Sequence, residues 1–359
     1  MGDQPALIKP ERNSSLELLR ILAMLGIVIL HYNNDSFGGA LLYVHYASVN
    51  RYYLILTECI SVCSIDLFIM ISAYFLSATN KRKLSKAVEL FVQMILIRFA
   101  VYLIRTIAAG RNITLIGFIR NISTVYYFVF LYSALYLFSP LINHLFERFD
   151  EKKWDIMLLI VILGFAGWSF AVNYSEDFIR NLHPVYGNKI LYVIRYGCTM
   201  FNFLTVYFFG SCIRATKIKP GLKKSLLYSV IMITMLIIFT LVSLKIGFGL
   251  SIWNYNFLWV TFSSAAVFLL FLNIDIRSKV INEIAKGSFT CFSIQVYLLD
   301  LFSIYEYVNK SYYVLVIHQF ITAGAIYLIS YAVYKVYSLC TGWLFKKISP
   351  LIDRLDISL

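Results

Sequence analysis

Residues 16–35 read LELLRILAMLGIVILHYNND, and two of these side chains are out of place in an ordinary apolar helix. The run is long enough to cross a bilayer, because about 20 residues rising about 1.5 Å each match a hydrocarbon core roughly 30 Å thick. Yet it carries Arg20 and His31. A charged side chain near a bilayer centre costs about 2.5–3.5 kcal/mol on insertion scales, so each one asks for a reason. Eleven helical steps of about 100° bring His31 round to the face of Arg20, about 16 Å further along the axis. Glu17 falls on the same face, three residues before Arg20 and within reach of an ion pair. One reading is anchoring, with Arg20 snorkelling to the inner interface and His31 marking the outer one. The other gives one helix face a cation at one depth and a proton-transfer group at another.

The rest of the chain extends the character of that first run. Its 359 residues are 60% hydrophobic and only 14% charged, the composition of a polytopic membrane protein rather than of two or three soluble domains. Apolar runs predict ten spans, near 15–33, 54–78, 88–109, 123–143, 154–172, 191–212, 225–246, 253–273, 289–307 and 313–338. The expected fold is therefore all-α and polytopic, one integral domain over 1–359 with no appended soluble domain. The first run lacks a small-residue cleavage site and is long enough to remain as an anchor.

A net charge of +13 raises the question of nucleic acid. Its placement answers it: alternate loops hold 20 Lys and Arg residues, among them Lys81, Arg82, Lys83 and Lys86, and the intervening loops hold seven. That asymmetry puts both termini in the cytoplasm of a multi-pass membrane protein and leaves no need for a nucleic-acid partner. The six cysteines are scattered, and Cys59 and Cys63 read as buried thiols, with no metal-ligand spacing and no disulfide framework. No Gly-rich phosphate loop is present.

Three segments carry a family likeness. ERNSSLELLRILAMLGIVILHY (11–32) resembles the opening of the acyltransferase-3 family of membrane enzymes, in which an Arg, ten residues and a His mark the first helix. SIDLFIMISAYFLS (64–77) is similar to the family's second helix, with Ser72, Ala73 and Tyr74 where a Ser-Gly-aromatic element usually stands. VYYFVFLYSALYLFSPLINHLF (125–146) resembles its aromatic fourth helix, ending in Ser139 and Pro140. There are departures. An Arg-x-x-Arg pair opens the family's third helix, where this chain has Ile95 and Arg98, and near the ninth helix Gln295 stands where the family often shows His.

The resemblance implies an acetyl-CoA-dependent O-acyltransferase. Acyl-CoA is a donor substrate in the cytoplasm, no cofactor is bound permanently, and the acceptor is a hydroxyl of a cell-surface polysaccharide or its lipid-linked precursor. His31 then serves as base for a hydroxyl that is a poor nucleophile at neutral pH, or carries the acyl group itself. Asp66, Glu58 and Asp300 are candidates to orient its ring, Asp66 first. Arg20 and Arg98, with Lys81 and Arg82 in the nearest loop, suit the phosphates of coenzyme A. Glu58, Tyr126 and Tyr127 are candidates for the acceptor site, the tyrosines stacking against a sugar. His45, His144, His183 and His318 read as surface or interfacial. The competing class is a proton-coupled transporter or glycan exporter, which intramembrane Arg, Asp and His would also suit. Against it, few prolines or glycines interrupt a span. A homo-oligomer is left open.

Overall fold

In the computed structural model residues 12–123, 127–150, 152–164, 199–246, 253–355 and 357–358 are described, and they form a helical bundle. Asn13 starts the first helix, α1 (Ser14–Asn33). Its side-chain oxygen accepts the Ser15 and Leu16 N–H groups at 3.1 and 3.2 Å, satisfying two donors that no helix can pair internally. Glu17 then places a carboxylate on the positive first turn.

The second span is α2 (Val49–Ser61) and α3 (Cys63–Leu76), joined at Val62. The ladder loosens there beside a side chain of the neighbouring span: the Ser264 hydroxyl donates to the Cys63 carbonyl at 3.1 Å. There follow α4 (Leu84–Ala108), α5 (Tyr127–Phe146), α6 (Met200–Ala215), α7 (Leu222–Ile246), α8 (Leu258–Leu272), α9 (Ser288–Leu299) and α10 (Tyr312–Ile352). Of α1's apolar window 67% is buried, and of Val49–Leu76 78%, against 22% of Leu222–Lys245. The first two spans are thus the bundle's centre and α7 its rim. Large apolar side chains such as Ile104, Leu163 and Leu328 face outward, as lipid-contacting surface does.

Among the described residues six helices are long and apolar enough to cross a membrane, and they correspond to the first four, the seventh and the tenth of the expected spans. The fifth expected span continues beyond the described helix 152–164, and the sixth begins outside the described residues. The ninth expected span, 289–307, needs correction. Helix α9 stops at Leu299, a 3-10 turn covers Asp300–Phe302, and Ser303 adopts φ 43°, which no continuing helix tolerates. The Phe302 carbonyl leaves the ladder and takes a side-chain N–H from His318 at 3.0 Å. The tenth runs longer than expected: 41 residues make about 60 Å of helix, roughly twice a hydrocarbon core, so α10 projects well past the apolar layer. At its far end Asp353 Oδ1 accepts the Ser85 N–H at 3.0 Å, capping α4 where Lys83 supplies no side-chain cap.

Two helices touch backbone to backbone at Gly210. A Cβ there would lie 2.6 Å from the Ala73 Cβ and 2.9 Å from the Met70 carbonyl oxygen, neither of which can rotate away. Small residues at such crossings let helices approach when lipid gives no hydrophobic drive for association. Gly210→Ala is expected to cost about 1–3 kcal/mol through overpacking. Gly324→Ala, where an added Cβ meets nothing within 4 Å, should leave the thermal midpoint level or slightly higher. Unfolding of both variants in the same detergent checks the contrast.

Candidate functional site

The polar face of α1 carries one constellation at each end. Toward its N-terminus Glu17 is buried, Arg20 Nη1 bonds its Oε2 at 2.5 Å, and Arg12 Nη1 stands 3.9 Å from Oε1. Arg20 therefore secures Glu17, and part of its guanidinium stays accessible, with 21% of the side chain exposed. Tyr327 of α10 lies beside this pair, its hydroxyl 2.9 Å from Ser288 Oγ and donating to the Ile284 carbonyl at 3.2 Å.

At the other end the chain doubles back on α1. The Gly38 N–H donates to the His31 carbonyl at 2.9 Å, and this return sets Phe37 edge-on against the imidazole, centroids 4.7 Å apart. Only glycine fits at 38, since a Cβ would collide with the Tyr32 carbonyl oxygen and Cα, both backbone atoms. The His31 ring is half-buried. Its Nδ1 is fully buried with no aligned partner, and the Gln295 carboxamide of α9 stands next to the ring with both of its polar atoms in the same condition.

The other histidines are occupied or exposed. His318 uses both nitrogens: Nε2 can only donate to the Phe302 carbonyl, so Nδ1 accepts the Tyr32 hydroxyl at 2.8 Å, while the ring stacks on Tyr307 at 3.8 Å. That makes it a fastener for the 300–310 connection, a role its position near a helix end did not announce. His144 pairs with Glu147 at 3.4 Å in the open, and His45 is exposed. His183 lies outside the described residues. Of the histidines described, His31 is the one with a buried ring nitrogen left unpaired.

The carboxylates are distributed differently from the expectation. Glu58 accepts from Asn33 Nδ2 at 3.0 Å, and Asn33 Oδ1 in turn accepts from Gln319, whose own oxygen takes the Tyr53 hydroxyl at 2.6 Å. Asn33 stands two residues from His31, on the opposite side of the helix. Asp66 is fully buried and accepts from Thr261 Oγ1 at 3.0 Å, with Asn202 adjacent. No hydrogen bond joins either carboxylate to His31 among the described residues. Asp300 is at the surface, where Arg105 bonds it at 2.9 Å, so its carboxylate is committed to the rim of the bundle.

Arg98 is buried, its guanidinium carbon 5.9 Å from the centroid of the Tyr297 ring. Lys81 is exposed. Arg82 has a different occupation from phosphate binding: Nε–H donates to Ser139 Oγ at 2.7 Å, Nη1 to the Thr79 and Lys81 carbonyls, and Nη2 to the Leu76 carbonyl. It staples its own loop to Ser139 within α5, which runs on through Pro140 to Phe146 rather than ending at the Ser-Pro pair as the family likeness implied. Arg82→Lys keeps the charge but cannot span four acceptors, so about 3 kcal/mol of stability should be lost. The affinity of the surviving folded protein for acyl-CoA should be unchanged, which a thermal melt and a donor titration check together. Tyr126 lies outside the described residues, and of Tyr127 only the backbone is described.

What the sequence reading undervalued is amides. Asn33, Gln93, Asn202, Gln295 and Gln319 all sit in apolar runs and are all buried, and Gln93 bonds Thr290 at 2.8 Å across to α9. Their signal was visible as polar side chains inside spans, but it is weaker than that of a charge.

A family model described as an acyltransferase domain matches residues 13–346. No curated protein and no solved structure matches the chain. The matched interval takes in both ends of the polar face of α1, Arg98 of α4 and Gln295 of α9, and nearly the whole chain with them: the protein belongs to the acyltransferase-3 family.

Proposed function

We propose that this acyltransferase moves an acetyl or other short acyl group from cytoplasmic acyl-CoA to a hydroxyl of a cell-surface polysaccharide or its lipid-linked precursor, in the plasma membrane. The observation that carries the reading is the polar face of α1. It has a guanidinium at one end and, about 16 Å along, a half-buried imidazole whose buried Nδ1 has no aligned partner. Donor phosphates on the side of Arg20, with Arg98 buried beyond them, and an acceptor arriving at His31 would use both ends.

His31 takes the proton of the acceptor hydroxyl as its oxygen attacks the thioester carbonyl. The tetrahedral centre collapses with cleavage of the carbon–sulfur bond, and the departing thiolate of coenzyme A recovers the proton from the imidazolium. Tyr126 and Tyr127, near the start of α5, would stack on the sugar.

The test is transfer from radiolabelled acetyl-CoA by the purified protein in proteoliposomes, with surface glycan as acceptor. Label leaving coenzyme A in the presence of wild type, and not of a His31 variant, is the expected result. Absence of turnover with acetyl and longer donors would move the carrier reading ahead.

A further inference from the structure

Glutamine at 295 is costly where it stands. It is 0% exposed in the middle of α9, and neither its oxygen nor its nitrogen has an aligned partner. A buried polar group left unpaired loses its hydration and gains nothing in return, and such groups are rare enough in native proteins that each calls for an account. Its neighbour is the one described histidine with an unpaired buried nitrogen. The two orphans face each other across the α1–α9 contact. Hydrogen bonds of catalytic groups are often misaligned without substrate and tighten when it binds.

We propose that Gln295 is the positioning residue of His31. Its Oε1 accepts the Nδ1–H of the imidazole and so fixes the tautomer that leaves the Nε2 lone pair for the acceptor hydroxyl. A histidine's working nitrogen is set by the bond its other nitrogen makes. Carboxylates commonly play this part, but Glu58 and Asp300 are bonded to Asn33 and Arg105, and Asp66, although its Oδ1 has no aligned partner, makes no hydrogen bond to His31 among the described residues, its Oδ2 accepting from Thr261. A carboxamide does it without a second charge in the membrane interior, where an ionised partner would cost far more. During the reaction the Nδ1–H stays on His31. Nε2 gains the hydroxyl proton and later returns it to the thiolate, and Gln295 exchanges no proton.

Neighbouring residues of α9 belong to a separate feature. Ile294, Tyr297 and Leu298 line an apolar groove of about 530 Å³ shared with α4 and α10, and the buried Gln295 is not part of that lining.

The inference about catalysis rests on the proposed acyl transfer, but the orientation of the ring can be read without it. Gln295→Met removes both polar atoms at nearly constant shape. Wild type with 15N-labelled histidine, in nanodiscs and assigned by loss of the His31 signal in His31→Asn, should show His31 in one neutral tautomer. Gln295→Met should show a mixture. Gln295→Met removes one weakly aligned bond together with a costly buried amide, so the thermal midpoint should move little, while kcat for transfer falls about 10- to 100-fold at unchanged KM. Gln295→Asn, which keeps the carboxamide one methylene short, should fall between. A purely structural glutamine would give a clearly lower midpoint with an unaltered tautomer and an undiminished kcat per folded molecule. A single tautomer in both proteins, or full kcat in Gln295→Met, overturns the assignment. A wild type with no transferase activity but a tautomer that scrambles in Gln295→Met sinks the acyl-transfer reading and leaves the positioning role standing.

Discussion

His31→Ala lowers acyl transfer from acetyl-CoA by about 10²- to 10⁴-fold at matched folded yield, the range a positioned general base contributes. Stability should change little. The ring is half-buried, its aromatic neighbour Phe37 meets it only edge-on, and the one buried polar group beside it, the Gln295 carboxamide, makes no aligned hydrogen bond to it. His318→Ala makes the opposite pattern and is the proper control. Deleting that ring strands the Tyr32 hydroxyl and the Phe302 carbonyl, so about 1–3 kcal/mol of stability should go, with transfer per folded molecule reduced far less. Single-turnover release of labelled coenzyme A, with a melt of each variant, separates the two. Equal activity losses in both would mean that His31 is only another fastener.

The contrast between these histidines marks where sequence reading stops. The ion pair of Glu17 with Arg20 follows from spacing on one helix, and the structure has it at 2.5 Å, because i,i+3 geometry is local. The buried thiols Cys59 and Cys63 were legible for the same reason: they are apolar-run residues with no partner spacing. The long apolar runs announced themselves through length and hydropathy. What the sequence could not carry is pairing between spans. That His318 meets Tyr32, that Asp66 meets Thr261, and that Gln295 meets His31 are relations over more than 190 residues, set by which helix faces which. Arg82 shows the same limit in a loop, since a basic residue in a cationic cluster looks solvated until its four acceptors are seen. The break after Leu299 was invisible too, for hydropathy records that residues are apolar and not that Ser303 turns left-handed.

Arg20→Ala is the second large effect, and it divides into two terms that a double variant separates. Glu17 has 8% of its side chain exposed, and its short partner is Arg20, with Arg12 only at 3.9 Å and largely in solvent. Removing the arginine leaves a carboxylate buried beside Tyr327 with its main counter-charge gone, and breaking one side of such a pair costs about 3–5 kcal/mol. Glu17→Gln with Arg20→Gln removes both charges at similar volume, and a buried pair replaced as a unit is often close to neutral in stability. The double variant should therefore melt near wild type. If Arg20 serves only Glu17, the double variant also transfers acyl groups normally, and the polar face of α1 has one functional end. If Arg20 in addition meets the phosphates of coenzyme A, KM for the donor rises about tenfold in the double variant although the fold is restored, the loss of roughly one charge-assisted hydrogen bond. The proposed transfer requires the second result. A guanidinium whose loss is fully repaired by deleting its partner has no share in holding the donor.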